Sequence, residues 1–119
     1  ELLDDAGDSA AAGALLQAAA NAPGATAEDW AGLAGWLRGQ SRFKEAAAAY
    51  GTAIDRFGPA MGASAWNLHF LRGMMRDRAG DWAGAQADLR QALTLFPDEP
   101  AVLNYLGYTM LERGEGRDE

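Results

Sequence analysis

The sequence predicts an all-α protein in which antiparallel helix hairpins stack side by side. Three observations lead to this prediction. Alanine is abundant whereas β-branched residues are scarce, which favours helices over strands. Apolar residues recur at steps of three and four, as on one face of a helix, in the runs Trp30-Leu33-Leu37 and Ala85-Leu89-Ala92. The chain also contains an internal repeat, which is typical of helical arrays.

Start and stop signals divide the chain into six helices. Thr26 precedes an acidic first turn, which is typical of an N-cap, and Pro100 after Glu99 marks another helix start. Four glycines follow periodic segments and are predicted as helix stops: Gly39, Gly58, Gly80 and Gly114. The predicted helices lie near 9–21, 27–39, 43–57, 62–79, 82–96 and 99–113. Because their connections are short, successive helices should pack antiparallel.

The repeat has a period of 34 residues in the second half of the chain. Gly73 recurs as Gly107, and Gly80 recurs as Gly114. An equivalent unit lies upstream if about five extra residues around Met61 are allowed for. The positions that define the repeat are Trp30, Leu33, Ala34, Ala46, Tyr50, Gly73, Trp82, Ala85, Leu89, Pro97 and Gly107.

These residues resemble the tetratricopeptide repeat (TPR) family. The resemblance implies a right-handed superhelical array, or α-solenoid, with a partial repeat at 1–26, a repeat at 27–60, an insertion at 61–65, a repeat at 66–99 and a partial repeat at 100–119. Small residues such as Gly73 and Ala85 would let the helices of a hairpin approach closely. The chain departs from the family pattern at His69 and Arg72, so the first helix of that unit is expected to be lengthened or shifted.

Composition excludes several kinds of partner. The net charge of −7 disfavours nucleic acid, and the lack of cysteine excludes thiolate metal sites and disulfides. No apolar run is long enough to cross a bilayer, so direct membrane insertion is not expected. The composition, rich in alanine, glycine and arginine, suggests a bacterial protein of the cytoplasm or the periplasm.

No catalytic pattern is present in the sequence. His69 is the single histidine and has no second nitrogen or sulfur ligand for a metal. The glycines are spread along the chain and do not form a phosphate-binding loop, and no nucleophile-elbow sequence occurs. The sequence therefore predicts a protein that is not an enzyme and that needs no cofactor.

The resemblance implies that the first helices of the units line a concave groove. The residues it places there are Asn67, Phe70, Met74, Arg78, Asn104 and Tyr108. They suggest a scaffold that binds a peptide or helix of another protein. One alternative is self-association through incomplete terminal repeats, which would use Leu2, Leu3, Leu103, Tyr105 and Leu106. Another alternative is a regulatory appendage of a larger enzyme.

Overall fold

The structure, a computed structural model, describes the backbone of residues 2–113 and the side chains of residues 7–113. Its helices are α1 (Leu2–Asn21), α2 (Ala27–Gly39), α3 (Phe43–Met61), α4 (Trp66–Arg78), α5 (Trp82–Leu95) and α6 (Pro100–Glu112), with a short 3-10 helix at Gly62–Ala65. No strand occurs between residues 2 and 113. The all-α prediction is confirmed for this part of the chain.

Local signals in the sequence account for several helix ends. Thr26 and Asp29 form a capping box at the start of α2, in which each side chain accepts a hydrogen bond from the backbone N–H of the other. The Glu99 carboxylate accepts a hydrogen bond from the Ala101 N–H at the start of α6. Gly80 follows α4 with a φ of +92°, a conformation that favours glycine. These caps fix where α2 and α6 begin and where the turn after α4 forms.

The predicted stop at Gly58 is wrong, because α3 continues through Gly58 and Pro59 to Met61. A glycine inside a helix costs only about 1 kcal/mol, and Phe57 and Met61 pack against the core on either side of it. Helix α1 also begins earlier than predicted, at Leu2. The predicted stop at Gly114 lies outside the described residues.

The five residues 61–65 leave the register of α4 unchanged. They complete α3 and form the 3-10 helix, and α4 begins at Trp66. The expectation that this helix is lengthened or shifted is therefore wrong. The irregular stretch absorbs the extra length because it lies at an exposed connection, where insertions are tolerated.

Neighbouring helices pack in chain order, and α4 lies between α3 and α5. A first core joins α1 to α4 around Leu33, Tyr50 and Met75. A second core joins α4, α5 and α6 around Leu89 and Val102, both of which are completely buried. Because α4 contributes to both cores, it couples the two halves of the chain.

Two glycines mark the closest approaches between helices. A Cβ on Gly73 would stand 3.2 Å from the Ala85 carbonyl oxygen and 3.3 Å from Leu89, so α4 and α5 touch at this point. A Cβ on Gly13 would stand 2.4 Å from the Trp36 ring. The Trp36 Nε1–H also donates to the Ser9 carbonyl at 3.1 Å. The indole therefore fixes α1 on α2 by both packing and hydrogen bonding.

Candidate interaction surface and buried ionic cluster

The residues predicted to line a groove lie on two helices, α4 and α6. We call them the α4–α6 surface: Asn67, Phe70, Met74 and Arg78 on α4, and Asn104 and Tyr108 on α6. The four residues of α4 follow each other at steps of three and four, so they lie on one side of that helix.

Phe70 is half-buried within a row of aromatic rings. Its ring centroid lies 6.0 Å from that of Trp66 and 5.9 Å from that of Tyr105, the second contact being edge-to-face. Trp66 stacks in turn on Phe96 at 5.7 Å. Met74 is also half-buried and packs against the first core. Phe70 and Met74 therefore contribute to the stability of the fold as well as to the surface.

The other members of the α4–α6 surface are exposed. Asn67 and Asn104 face solvent, and Tyr108 is 68% exposed. The Arg78 guanidinium lies 5.1 Å from the centroid of the Phe43 ring, a cation–π contact with the start of α3. The surface thus combines one exposed aromatic ring with two amides that can form hydrogen bonds.

Tyr105 and Asp77 hold α6 against α4 beside this surface. The Tyr105 hydroxyl donates to the Asp77 carboxylate at 2.8 Å, and Arg113 pairs with the same carboxylate. Burial raises the pKa of the Tyr105 hydroxyl, and the neighbouring carboxylate raises it further. Tyr105 therefore stays protonated as a donor, and the position of Tyr108 is fixed through α6.

Most of the predicted repeat positions are buried. Trp30, Leu33, Ala34, Ala46, Tyr50, Gly73, Ala85 and Leu89 lie in the interior, Trp82 is half-buried, and Pro97 and Gly107 are exposed. The difference between Gly73 and Gly107 follows from their neighbours, because a Cβ on Gly107 would meet no described atom within 4 Å. Gly73 faces a following helix, whereas Gly107 has no such neighbour among the described residues.

The residues predicted to support self-association are not all accessible. Leu106 is buried and Tyr105 half-buried, whereas Leu103 is 46% exposed. The side chains of Leu2 and Leu3 lie outside the described residues. Leu103 is therefore the accessible member of this group.

The structure also contains a buried ionic cluster around Asp88, which sequence reasoning missed. The Asp88 side chain is 4% exposed. It accepts hydrogen bonds from Arg72 Nε at 2.9 Å, from Arg72 Nη2 at 2.8 Å and from Arg76 Nη1 at 2.9 Å. The two arginines lie on α4 and the aspartate on α5, so the cluster ties the two helices of this hairpin together.

The first hairpin has apolar residues where the second has this cluster. Counting back 39 residues, the separation of Ala46 from Ala85, places Leu33, Leu37 and Ala49 opposite Arg72, Arg76 and Asp88. All three are buried. The sequence signal was therefore present: two arginines on the inner face of α4 need an acidic partner on the facing helix, and Asp88 is adjacent to the buried Leu89.

His69 lies at the edge of the cluster. Its Nδ1 is 3.6 Å from an Asp88 oxygen and makes no hydrogen bond with a described residue. Burial lowers the pKa of the His69 imidazole, although the Asp88 carboxylate opposes this effect. Within the described part of the chain, no group of three acidic, histidine or cysteine side chains could hold a metal ion. The geometry therefore points to a structural cluster.

The fold and its surfaces define a class: an all-helical protein built from packed helix hairpins. Between residues 2 and 113, no helix has both the length and the apolar character needed to span a bilayer. One curated relative, named as a homolog of lipoprotein NlpI from Haemophilus influenzae, is 51% identical over 47 residues. The match covers 39% of this chain and 15% of the relative, so it relates a segment of the two proteins.

Two other comparisons give no match. No protein-family model matches the chain. No solved structure matches it either.

Proposed function

We propose that this chain is a non-catalytic scaffold that holds a segment of a partner protein on the α4–α6 surface. In this proposal the helix hairpins form a right-handed superhelical array of the TPR type, and the α4–α6 surface is part of its concave side. The partner segment is an apolar peptide or helix with a few hydrogen-bonding groups, because the surface offers aromatic and thioether contacts beside two asparagines.

The single observation that supports this function most directly is the exposure of Tyr108. An aromatic ring that is 68% exposed, on a helix anchored by Tyr105 and Asp77, can bury a large area in a complex without any change in the fold. Tyrosine is also enriched among residues that contribute strongly to binding energy. Asn104, one turn before Tyr108 on α6, is placed to orient the partner backbone.

The similarity to a bacterial relative agrees with this proposal in two respects. The relative is named as a lipoprotein, and its name describes no catalytic activity. We therefore extend the proposal to a role in a bacterial protein complex, with the periplasm favoured over the cytoplasm.

Replacing Tyr108 by alanine should weaken binding of a partner by about 1–3 kcal/mol, because the partner loses a central aromatic contact. A partner would first be identified by pull-down with the full-length protein, and its affinity for each variant then measured by calorimetry. Melting temperatures should be nearly unchanged, since the ring is mostly exposed in the free chain.

Leu15→Ala provides a matched control, because Leu15 is 73% exposed and lies on α1, away from the surface. The proposal fails if Tyr108→Ala binds as tightly as the unmodified chain, or if Leu15→Ala weakens binding equally. Phe70→Ala is a less specific test, since loss of its contacts with Trp66 and Tyr105 should also lower stability.

A second candidate function, self-association, is favoured by the exposed apolar side chain of Leu103 on α6. If copies of the chain associate through α6, sedimentation should show dimers at high concentration, and Leu103→Glu should shift them to monomers. The substitution suits this purpose better than one at Leu106, which is buried. A monomer at every concentration would exclude this function.

A further inference from the structure

A cleft lies between α3 and α5, on the side of α4 away from the α4–α6 surface. It has a volume of about 600 Å³. It is lined by Lys44, Ala47, Ala48 and Gly51 of α3, by Arg72 and Arg76 of α4, and by Ala79, Gly80 and Asp81 at the following turn. Helices α3 and α5 both pack on α4 but hardly touch each other, which leaves the cleft open.

The cleft concentrates positive charge in a chain that is strongly acidic. Lys44, Arg72 and Arg76 face two carboxylates, Asp88 beneath the cleft and Asp81 at its rim. Asp81 is already engaged, since its Oδ1 accepts a hydrogen bond from the Gly84 N–H at 2.9 Å. One positive charge remains uncompensated, while the whole chain has a net charge of −7.

The two arginines keep donors available after binding Asp88. Arg72 uses Nε and Nη2, and Arg76 uses Nη1, so Nη1 of Arg72 and both Nε and Nη2 of Arg76 have no partner among the described side chains. Asp88 holds the two guanidiniums in fixed positions. An anion entering the cleft would therefore meet donors that are already oriented.

Gly51 keeps one of these donors accessible. A Cβ at this position would stand 3.3 Å from Arg72 Nη1. Any larger side chain would occupy the space in front of the guanidinium. Because Ala47 and Ala48 are also small, α3 presents an open wall to the cleft.

We propose that this cleft binds an oxyanion, the phosphate or carboxylate group of a small molecule, through Lys44, Arg72 and Arg76. The Lys44 ammonium supplies a mobile charge at the entrance, and the free N–H groups of the arginines supply fixed donors at the floor. This site uses different residues from the α4–α6 surface. Tyr108→Ala should therefore leave anion binding intact, and the two proposals can fail separately.

The test is a titration of the chain, followed by NMR at constant ionic strength, with inorganic phosphate in one series and succinate in the other. We expect at least one probe to shift the backbone amide signals of Lys44, Gly51 and Gly80 in a saturable manner. A response to phosphate but not to succinate, or the reverse, would identify the class of oxyanion. If neither probe shifts these amides, the proposal is overturned.

Two variants separate a built site from general charge attraction. Lys44→Glu should weaken binding by about tenfold or more, since it removes a charge-assisted hydrogen bond. Arg90→Glu makes the same change in net charge at an exposed position outside the cleft and should have little effect. Gly51→Leu should also weaken binding about tenfold by covering Arg72 Nη1. Equal binding by Lys44→Glu and Arg90→Glu would overturn the proposal.

Discussion

Replacing Asp88 by alanine should lower the free energy of unfolding by about 3 kcal/mol, because it leaves two guanidiniums at the α4–α5 interface without an anion. The Asp88 side chain is 4% exposed and accepts hydrogen bonds from both Arg72 and Arg76. The arginines are themselves partly exposed, so water compensates for some of the loss. Chemical denaturation followed by circular dichroism would measure the effect.

Asp55→Ala is the matched control for this prediction. It removes the same charge from an exposed position on α3 and should change the free energy of unfolding by less than about 0.5 kcal/mol. If the two variants lose similar amounts of stability, the cluster contributes nothing specific to the hairpin.

A triple variant would separate the ionic contribution from the packing. Arg72→Leu, Arg76→Leu and Asp88→Ala together copy the residues of the first hairpin, Leu33, Leu37 and Ala49. Since buried ion clusters are often no more stable than apolar replacements, the triple variant should recover most of the stability lost by Asp88→Ala. The cluster would then serve to hold donors at the α3–α5 cleft, with little net gain in stability.

The helices could be predicted because their signals are local. Thr26 and Asp29 form a capping box from residues three apart, and Gly80 occupies a backbone conformation that few other residues tolerate. The repeat spacing also predicted the small residues at the α4–α5 contact. Such features depend on neighbours in sequence or on steric fit between two nearby helices, so one sequence is sufficient.

The remaining features depend on partners that are distant in sequence. Asp88 is a polar residue next to a buried leucine, and its importance appears only when Arg72 and Arg76 of the facing helix are placed beside it. The end of α3 was similarly hard to predict, because core packing by Phe57 and Met61 outweighs the local stop signal of Gly58. Exposure of the predicted surface residues also varies, from the half-buried Phe70 to the exposed Tyr108, according to what packs against each helix.

Replacing Gly73 by leucine should lower the free energy of unfolding by up to about 3 kcal/mol, because the hairpin has no space for the added side chain. A Cβ alone would already lie 3.2 Å from both the Ala85 carbonyl oxygen and the Asp88 Cβ. These atoms belong to the backbone and the base of a side chain, so α4 and α5 must move apart. That movement would also lengthen the hydrogen bonds of Asp88. The melting temperature of the variant would measure the loss.

Gly107→Leu is a control built into the repeat, since it makes the same substitution 34 residues later. A Cβ at Gly107 meets no described atom within 4 Å, and leucine favours helix over glycine by nearly 1 kcal/mol. Gly107→Leu should therefore leave the melting temperature unchanged or raise it, while Gly73→Leu lowers it. If both substitutions destabilise the chain equally, Gly107 is also packed against another helix, one that lies beyond the described residues or belongs to a second copy. If neither destabilises it, the close approach of α4 and α5 at Gly73 is wrong.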